Sequence, residues 1–127
     1  MLINFVSFGV VVCLMIACSP VTKTVDAEQF EKKINETSKP QLVDVRTYEE
    51  YNAGHLVGAL LMDVRRTTFQ TQIQRLDKER PVFVYCRSGR RSLDAARILE
   101  RNNFKEVYNL EGGINEWIEK GKAVEIR

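Results

Sequence analysis

Val82-Phe83-Val84-Tyr85-Cys86-Arg87-Ser88-Gly89-Arg90-Arg91-Ser92 is the stretch on which the reading of this chain turns. Its first four residues are β-branched or aromatic and predict a buried strand. A short polar loop follows. Residues 92–102 then place Leu93, Ala96 and Leu99 at helical spacing, with Ala95 and Ile98 widening the stripe. A strand that runs through a loop into a helix is the repeating unit of a parallel sheet. Open sheets of this kind bind ligands beyond the C-terminal ends of their strands, and Cys86 falls there. Loop amides and a helix start supply partial positive charge at that point. Arg87, Arg90 and Arg91 add whole charges. Both effects favour the thiolate, the reactive form of a cysteine. The chain carries a net charge of +2, and without these three arginines it would be net negative. Positive charge is therefore concentrated in sequence beside one thiol. Arginines at a helix start oppose the helix dipole. Solvated arginines are the plain alternative, but repeating that cost within one loop points to an anionic ligand.

The alternation of strands and helices continues on both sides. Asp26 offers a cap with Gln29 three residues on, and Ala27, Phe30 and Ile34 recur in helical phase. Gln41-Leu42-Val43-Asp44-Val45 reads as a strand. Residues 47–53 read as a short helix closed by Gly54. Ala59-Leu60-Leu61-Met62 reads as a buried strand. Residues 67–76 read as a longer helix carrying Phe69, Ile73 and Leu76. Val107-Tyr108-Asn109-Leu110 is another strand. Gly112-Gly113 turns into a helix bearing Ile114, Trp117 and Ile118, and Val124-Glu125-Ile126 reads as an edge strand. The expected fold is α/β: a doubly wound, mainly parallel sheet of about five strands with helices on both faces.

Composition bounds the rest. The 127 residues allow one ordinary domain. A hydrophobic fraction of 44% with 28% charged residues excludes a disordered chain. The small net charge gives no reason to expect nucleic acid. No phosphate loop or dinucleotide motif is present. One histidine and three cysteines without a closely spaced pair argue against a structural zinc site.

Residues 1–17 carry no charged side chain; the first is Lys23. The stretch is shorter than the roughly 20 residues that cross a bilayer comfortably. It reads as the apolar region of a secretory signal. Its end, Leu14-Met15-Ile16-Ala17-Cys18, resembles a bacterial lipobox, with Met15 where Leu is usual. That resemblance implies cleavage before Cys18 and lipidation of its thiol. The expected layout is a signal at 1–17, a lipidated tether at 18–24 and the folded domain at 25–127. The expected location is the cell envelope, as an exported lipoprotein held to the membrane by its lipid alone, with an uncleaved anchor and plain secretion as the alternatives. Cleavage removes Cys13, lipidation occupies Cys18, and Cys86 remains as a lone thiol.

Three motifs now stand in order. They are Asp44-Val45-Arg46 with Glu50-Tyr51 and Gly54-His55-Leu56-Val57-Gly58-Ala59; the Cys86–Ser92 loop; and Leu110-Glu111-Gly112-Gly113 followed by Trp117. Over roughly residues 25 to 120 the chain resembles a single-domain rhodanese. Met62 stands near where many members carry a proline-containing stretch. The resemblance implies sulfur transfer: Cys86 takes the outer sulfur of thiosulfate or a persulfide and passes it to a thiol or cyanide. It implies a small anionic donor bound by Arg87, Ser88, Gly89, Arg90, Arg91 and Ser92, with Arg91 and Arg87 ranked ahead of Arg90, and a reaction that requires no metal and no organic cofactor. Helix capping is the alternative for Ser92. Asp44 and Arg46 are expected to shape the neighbourhood, Asp44 either pairing with a loop arginine or making a strand-end turn. His55, Gly112, Gly113 and Trp117 read as structural. A monomer is the default.

Three rival readings follow. Cysteine phosphatases of related fold place Arg six residues after Cys, where this chain has Ser92, so the loop is one residue short for phosphate; an arsenate reductase meets the same objection. A silent binding module would need no reactive Cys86. A persulfide carrier docking to a partner protein needs the same cysteine as an enzyme, and only turnover with small molecules separates them.

Overall fold

The computed structural model describes residues 2–3, 9–14 and 19–126. Cys18 and the expected cut before it lie outside the described residues. Residues 2–3 and 9–14 are exposed and form no helix or strand. Among the described residues no helix is long and apolar enough to cross a membrane.

In chain order the elements are β1 (Thr22–Val25), α1 (Ala27–Glu36), β2 (Gln41–Asp44), α2 (Tyr48–Ala53), β3 (His55–Leu56), β4 (Leu60–Leu61) and α3 (Phe69–Gln72). A 3-10 turn (Ile73–Arg75) follows α3. Then come β5 (Val82–Tyr85), α4 (Arg90–Arg101), β6 (Val107–Leu110), α5 (Gly113–Glu119) and β7 (Val124–Glu125). Five strands form one sheet in the order β1-β6-β5-β2-β4, every neighbouring pair parallel. Strand β5 is central and all four of its residues are buried, as its β-branched and aromatic composition requires. Val84 pairs with Val43 on one side and Asn109 on the other.

Each face of the sheet is sealed by helices. On one, α4 sets Ala95, Ala96 and Leu99 against Val43, Val82 and Val84, with Phe69 and Ile73 beside them. On the other, Phe30 of α1 and Trp117 of α5 close over Phe83 and Tyr108. Phe30 meets Phe83 edge-on, with ring centroids 5.6 Å apart. Strands β5 and β2 are neighbours, but the chain leaves β5 toward β6 and leaves β2 toward β4. Their C-terminal ends therefore open a crevice at the switch in strand order, which positions the site.

The structure departs from the sequence expectations in five places. Residues 22–24, expected within the tether, belong to β1, which pairs with β6 at the edge of the sheet. Thr22-Lys23-Thr24 is polar because an edge strand has one side in water. The helix expected over 67–76 shrinks to α3 and its 3-10 turn; β-branched Thr67 and Thr68 start a helix poorly, and Thr68 makes no side-chain cap. Phe69, Ile73 and Leu76 are buried all the same. The strand at 59–62 pairs only through Leu60 and Leu61, and Leu60 is 53% exposed because β4 is the other edge. β7 joins no parallel sheet; it pairs antiparallel with β3 in a separate ribbon. Finally, α4 begins at Arg90, two residues ahead of the expected start.

Candidate active site

The Cys86 loop leaves the central strand and turns at once into α4. Cys86 itself is buried, 1% exposed. The turn is made at Gly89, whose φ of +98° suits glycine, and any Cβ there would run into the carbonyl of Glu111. The turn aims the loop at the sulfur. The Gly89 N–H donates to Cys86 Sγ at 3.1 Å, and Ser92 Oγ donates to it at 3.3 Å. Burial pushes the Cys86 thiol up. The Ser92 hydroxyl and the amides of Ser92, Ser88 and Gly89 outweigh that effect and hold the thiol below its usual range. Ser92, buried in the first turn of α4, thus solvates the sulfur and does not cap the helix.

The back of the loop is held by α5. Ile114 N–H donates to the carbonyl of Cys86 at 2.9 Å, and Asn115 N–H donates to that of Arg87 at 3.2 Å. Gly113 permits this approach: its φ is +59°, and a Cβ would strike the carbonyls of Cys86 and Arg87. With its carbonyls engaged behind it, the loop presents N–H groups to an anion in front.

The three arginines separate. Arg91 makes a two-pronged ion pair with Glu50, at 2.8 and 2.9 Å. The Arg91 guanidinium holds the Glu50 carboxyl down to about 2. Arg87 and Arg90 are exposed and, among the described residues, make no ion pair and no side-chain hydrogen bond. Asp44 does not reach the loop arginines. It is fully buried and accepts from Arg46 Nε at 2.9 Å, Arg46 Nη2 at 2.7 Å and Tyr85 OH at 2.7 Å. Arg46 Nη2 also donates to the carbonyl of Gly54, and Tyr85 OH accepts from Leu56 N–H. Asp44 and Arg46 tie the ends of β2 and β5 to the segment leading into β3, behind the site.

The sequence pattern of the Rhodanese-like domain matches residues 26–120. The chain belongs to the rhodanese-like domain family. It is 33% identical over 100 residues to a protein named Sulfurtransferase from Allochromatium vinosum, covering 79% of this chain and 92% of that one. It is 38% identical over 76 residues to Thiosulfate sulfurtransferase GlpE from Coxiella burnetii, covering 60% and 69%. The crystal structure of a rhodanese-like domain protein from Staphylococcus aureus superposes with a TM-score of 0.71 at 29% identity, covering 83% of this chain and 98% of that one. These relatives support sulfur transfer in general.

Within this rhodanese-like domain the sequence reading placed Glu50 in a motif and gave it no role at the site. Thr47 and Glu50 have the spacing of a helix capping box, and Thr47 Oγ1 does accept from Glu50 N–H at 3.3 Å. The local motif hid the longer-range role, since the same carboxylate reaches 41 residues along the chain to Arg91. His55 is structural, as expected. Its Nδ1 bonds the carbonyl of Tyr51 at 2.8 Å, its Nε2 bonds Glu125 at 3.0 Å, and its ring stacks on Tyr51. Both ring nitrogens are committed, so His55 has no ring nitrogen left over for Cys86.

Proposed function

We propose that this protein is a sulfurtransferase that works through a persulfide on Cys86. The observation that carries the reading is the pair of donors on Sγ, Gly89 N–H and Ser92 Oγ, which favour a thiolate at the mouth of the loop. The thiolate attacks the outer sulfur of thiosulfate. A new S–S bond forms to Sγ, the bond to the inner sulfur breaks, and sulfite leaves with that electron pair. Arg87 and Arg90 draw in the dianion and stabilise the departing one. The persulfide anion lies against the loop amides. Cyanide or a thiolate then attacks the outer sulfur, and the electron pair of the breaking bond returns to Sγ. With cyanide the product is thiocyanate. No metal and no organic cofactor enters the cycle.

The test is intact mass of the full chain after incubation with thiosulfate. The expected result is a gain of one sulfur that cyanide discharges as thiocyanate and that Cys86→Ser abolishes. A folded protein with an alkylatable Cys86 that gains no sulfur from thiosulfate or small persulfides would overturn the reading. Sulfur loading without turnover to any small acceptor would favour delivery to a partner protein.

The proposed setting is the cell envelope, with residues 1–17 removed and Cys18 lipidated. Two or more acyl chains suffice for stable attachment. Incorporation of labelled palmitate into the chain, lost in Cys18→Ala, checks this; unlabelled full-length protein would sink it.

A further inference from the structure

The chain enters the fold at the end of the sheet opposite the Cys86 loop. Val21 packs against the core, and its carbonyl accepts from Val107 N–H at 2.8 Å. The parallel register sets Thr22, Val107 and Val82 side by side. Cys86 stands past the end of that strand, about 13 Å farther along it at roughly 3.3 Å per residue. Only Ser19 and Pro20 separate Cys18 from Val21. That much chain reaches about 11 Å at full extension. It is well short of the width of a domain whose radius of gyration alone is about 13 Å. A tether this short keeps the entry end of the sheet beside whatever anchors Cys18.

Cations without ion-pair partners gather at the same end. Three loops meet there, 37–40 before β2, 76–81 before β5 and 102–106 before β6. Gln41 Nε2 donates to the carbonyl of Asp77 at 3.0 Å, Arg80 donates to the carbonyl of Lys39, and Lys105 N–H donates to the carbonyl of Lys78 at 3.0 Å. These bonds set Lys39, Lys78, Arg80 and Lys105 on one surface, with Arg75 and Arg101 at its margin. Among the described residues none of the six makes an ion pair. Asp77, Glu79 and Glu100 are the acids there outside ion pairs; Glu36 is matched by Lys32 and Lys33, and Glu106 by Lys23. The entry end is net positive, and the remainder of this +2 chain is net negative.

We infer that the entry end of the domain lies on an anionic lipid surface and holds the Cys86 loop away from the bilayer. The inference rests on the proposed membrane attachment at Cys18 and adds which face meets the lipid. Lipid phosphates attract Lys39, Lys78, Arg80 and Lys105. That attraction fades within a Debye length, about 8 Å at physiological salt, so it needs the close approach that the short tether gives. Arg87 and Arg90 lie at the other end of the strands, beyond that range, and stay available to an anion. Sulfur donor and acceptor then reach Cys86 from water and not from within the bilayer.

The experiment places the purified full chain on vesicles of phosphatidylethanolamine and phosphatidylglycerol. Flotation reads attachment. Lysine acetylation, mapped by mass spectrometry against the chain in detergent, reads the face. Lys39, Lys78 and Lys105 are expected to lose acetylation several-fold. Lys120, paired with Glu28 in the first turn of α1, and iodoacetamide alkylation of Cys86 should be unchanged. Protection should fall on phosphatidylcholine vesicles. Lys78→Glu combined with Lys105→Glu should remove it from Lys39 while flotation persists. A chain that floats with all lysines labelled alike, or with Cys86 shielded, overturns the inference and leaves the attachment standing. Equal protection on both kinds of vesicle overturns the anionic-lipid surface. A chain that does not float overturns the attachment, and this inference with it.

Discussion

Arg91 and Glu50 face one another across the crevice between β5 and β2, Nη1 to Oε1 at 2.8 Å and Nη2 to Oε2 at 2.9 Å. Arg91 is also close enough to Cys86 for the thiolate to stabilise its charge. Glu50 therefore both holds the guanidinium beside the sulfur and offsets part of its charge. Glu50→Gln keeps the shape and removes the offset. The expected outcome is a lower pH midpoint for Cys86 alkylation, with a stability loss of about 1–2 kcal/mol. An unchanged or higher midpoint would mean that Glu50 does not moderate Arg91.

The same pair sets an acid limit. The Glu50 carboxyl lies near 2 in the folded chain, against an ordinary 4.5. Its folded value is depressed, so its contribution is complete above about pH 4.5 and is lost as pH falls toward 2. Chemical denaturation followed from pH 6 to pH 2.5 should show wild type losing stability over this window. Glu50→Gln should lose less, and parallel curves would count against the pair.

Ser92→Ala removes the side-chain donor on the sulfur, leaving the loop amides, and makes helix α4 a better helix former. A hydrogen bond to a charged group is worth about 1.5–3 kcal/mol. The thiol midpoint should rise by about one pH unit or more. Iodoacetamide alkylation should consequently slow near neutral pH and recover at high pH. Ser92→Thr, which keeps the hydroxyl, should stay nearer wild type.

Gly113→Ala should damage the site from behind. The new Cβ meets the carbonyls of Cys86 and Arg87, and the residue is held at φ +59°. About 1–3 kcal/mol of strain is expected, together with loss of sulfur loading. Gly121→Ala is the control, since its Cβ would point into open space although its φ of +70° is also positive. Equal loading in both variants would show that the loop does not depend on close approach by α5.

Asp44→Ala leaves Arg46 as a buried, unpaired cation and Tyr85 without its acceptor. A cost of about 3–5 kcal/mol is expected. A thermal melt reads it directly, and a near-normal melting temperature would refute the strut role given to Asp44 and Arg46.

Several features were legible residue by residue. β5 shows as Val82-Phe83-Val84-Tyr85 because a strand buried on both faces has no polar position to confuse its pattern. Cys86 stands out because three arginines crowd one thiol in a nearly neutral chain. β1 was hidden because Thr22-Lys23-Thr24 has the polarity of a linker, and only its pairing with Val107 and Tyr108 makes it a strand. The ribbon of β3 and β7 was hidden because two-residue strands have no period to read.

The chain by itself determined the parallel α/β class, the place of Cys86 after the central strand, and the Cys86–Ser92 loop, because each is written in contiguous residues. Tertiary structure alone decided which arginine is tied and which is free. Arg87, Arg90 and Arg91 are alike in local sequence, and among the described residues only Arg91 meets a carboxylate. It also decided that α5 turns the loop carbonyls away from the sulfur. Those contacts join residues far apart in the chain, and their energies depend on distance and burial, which local spacing does not encode.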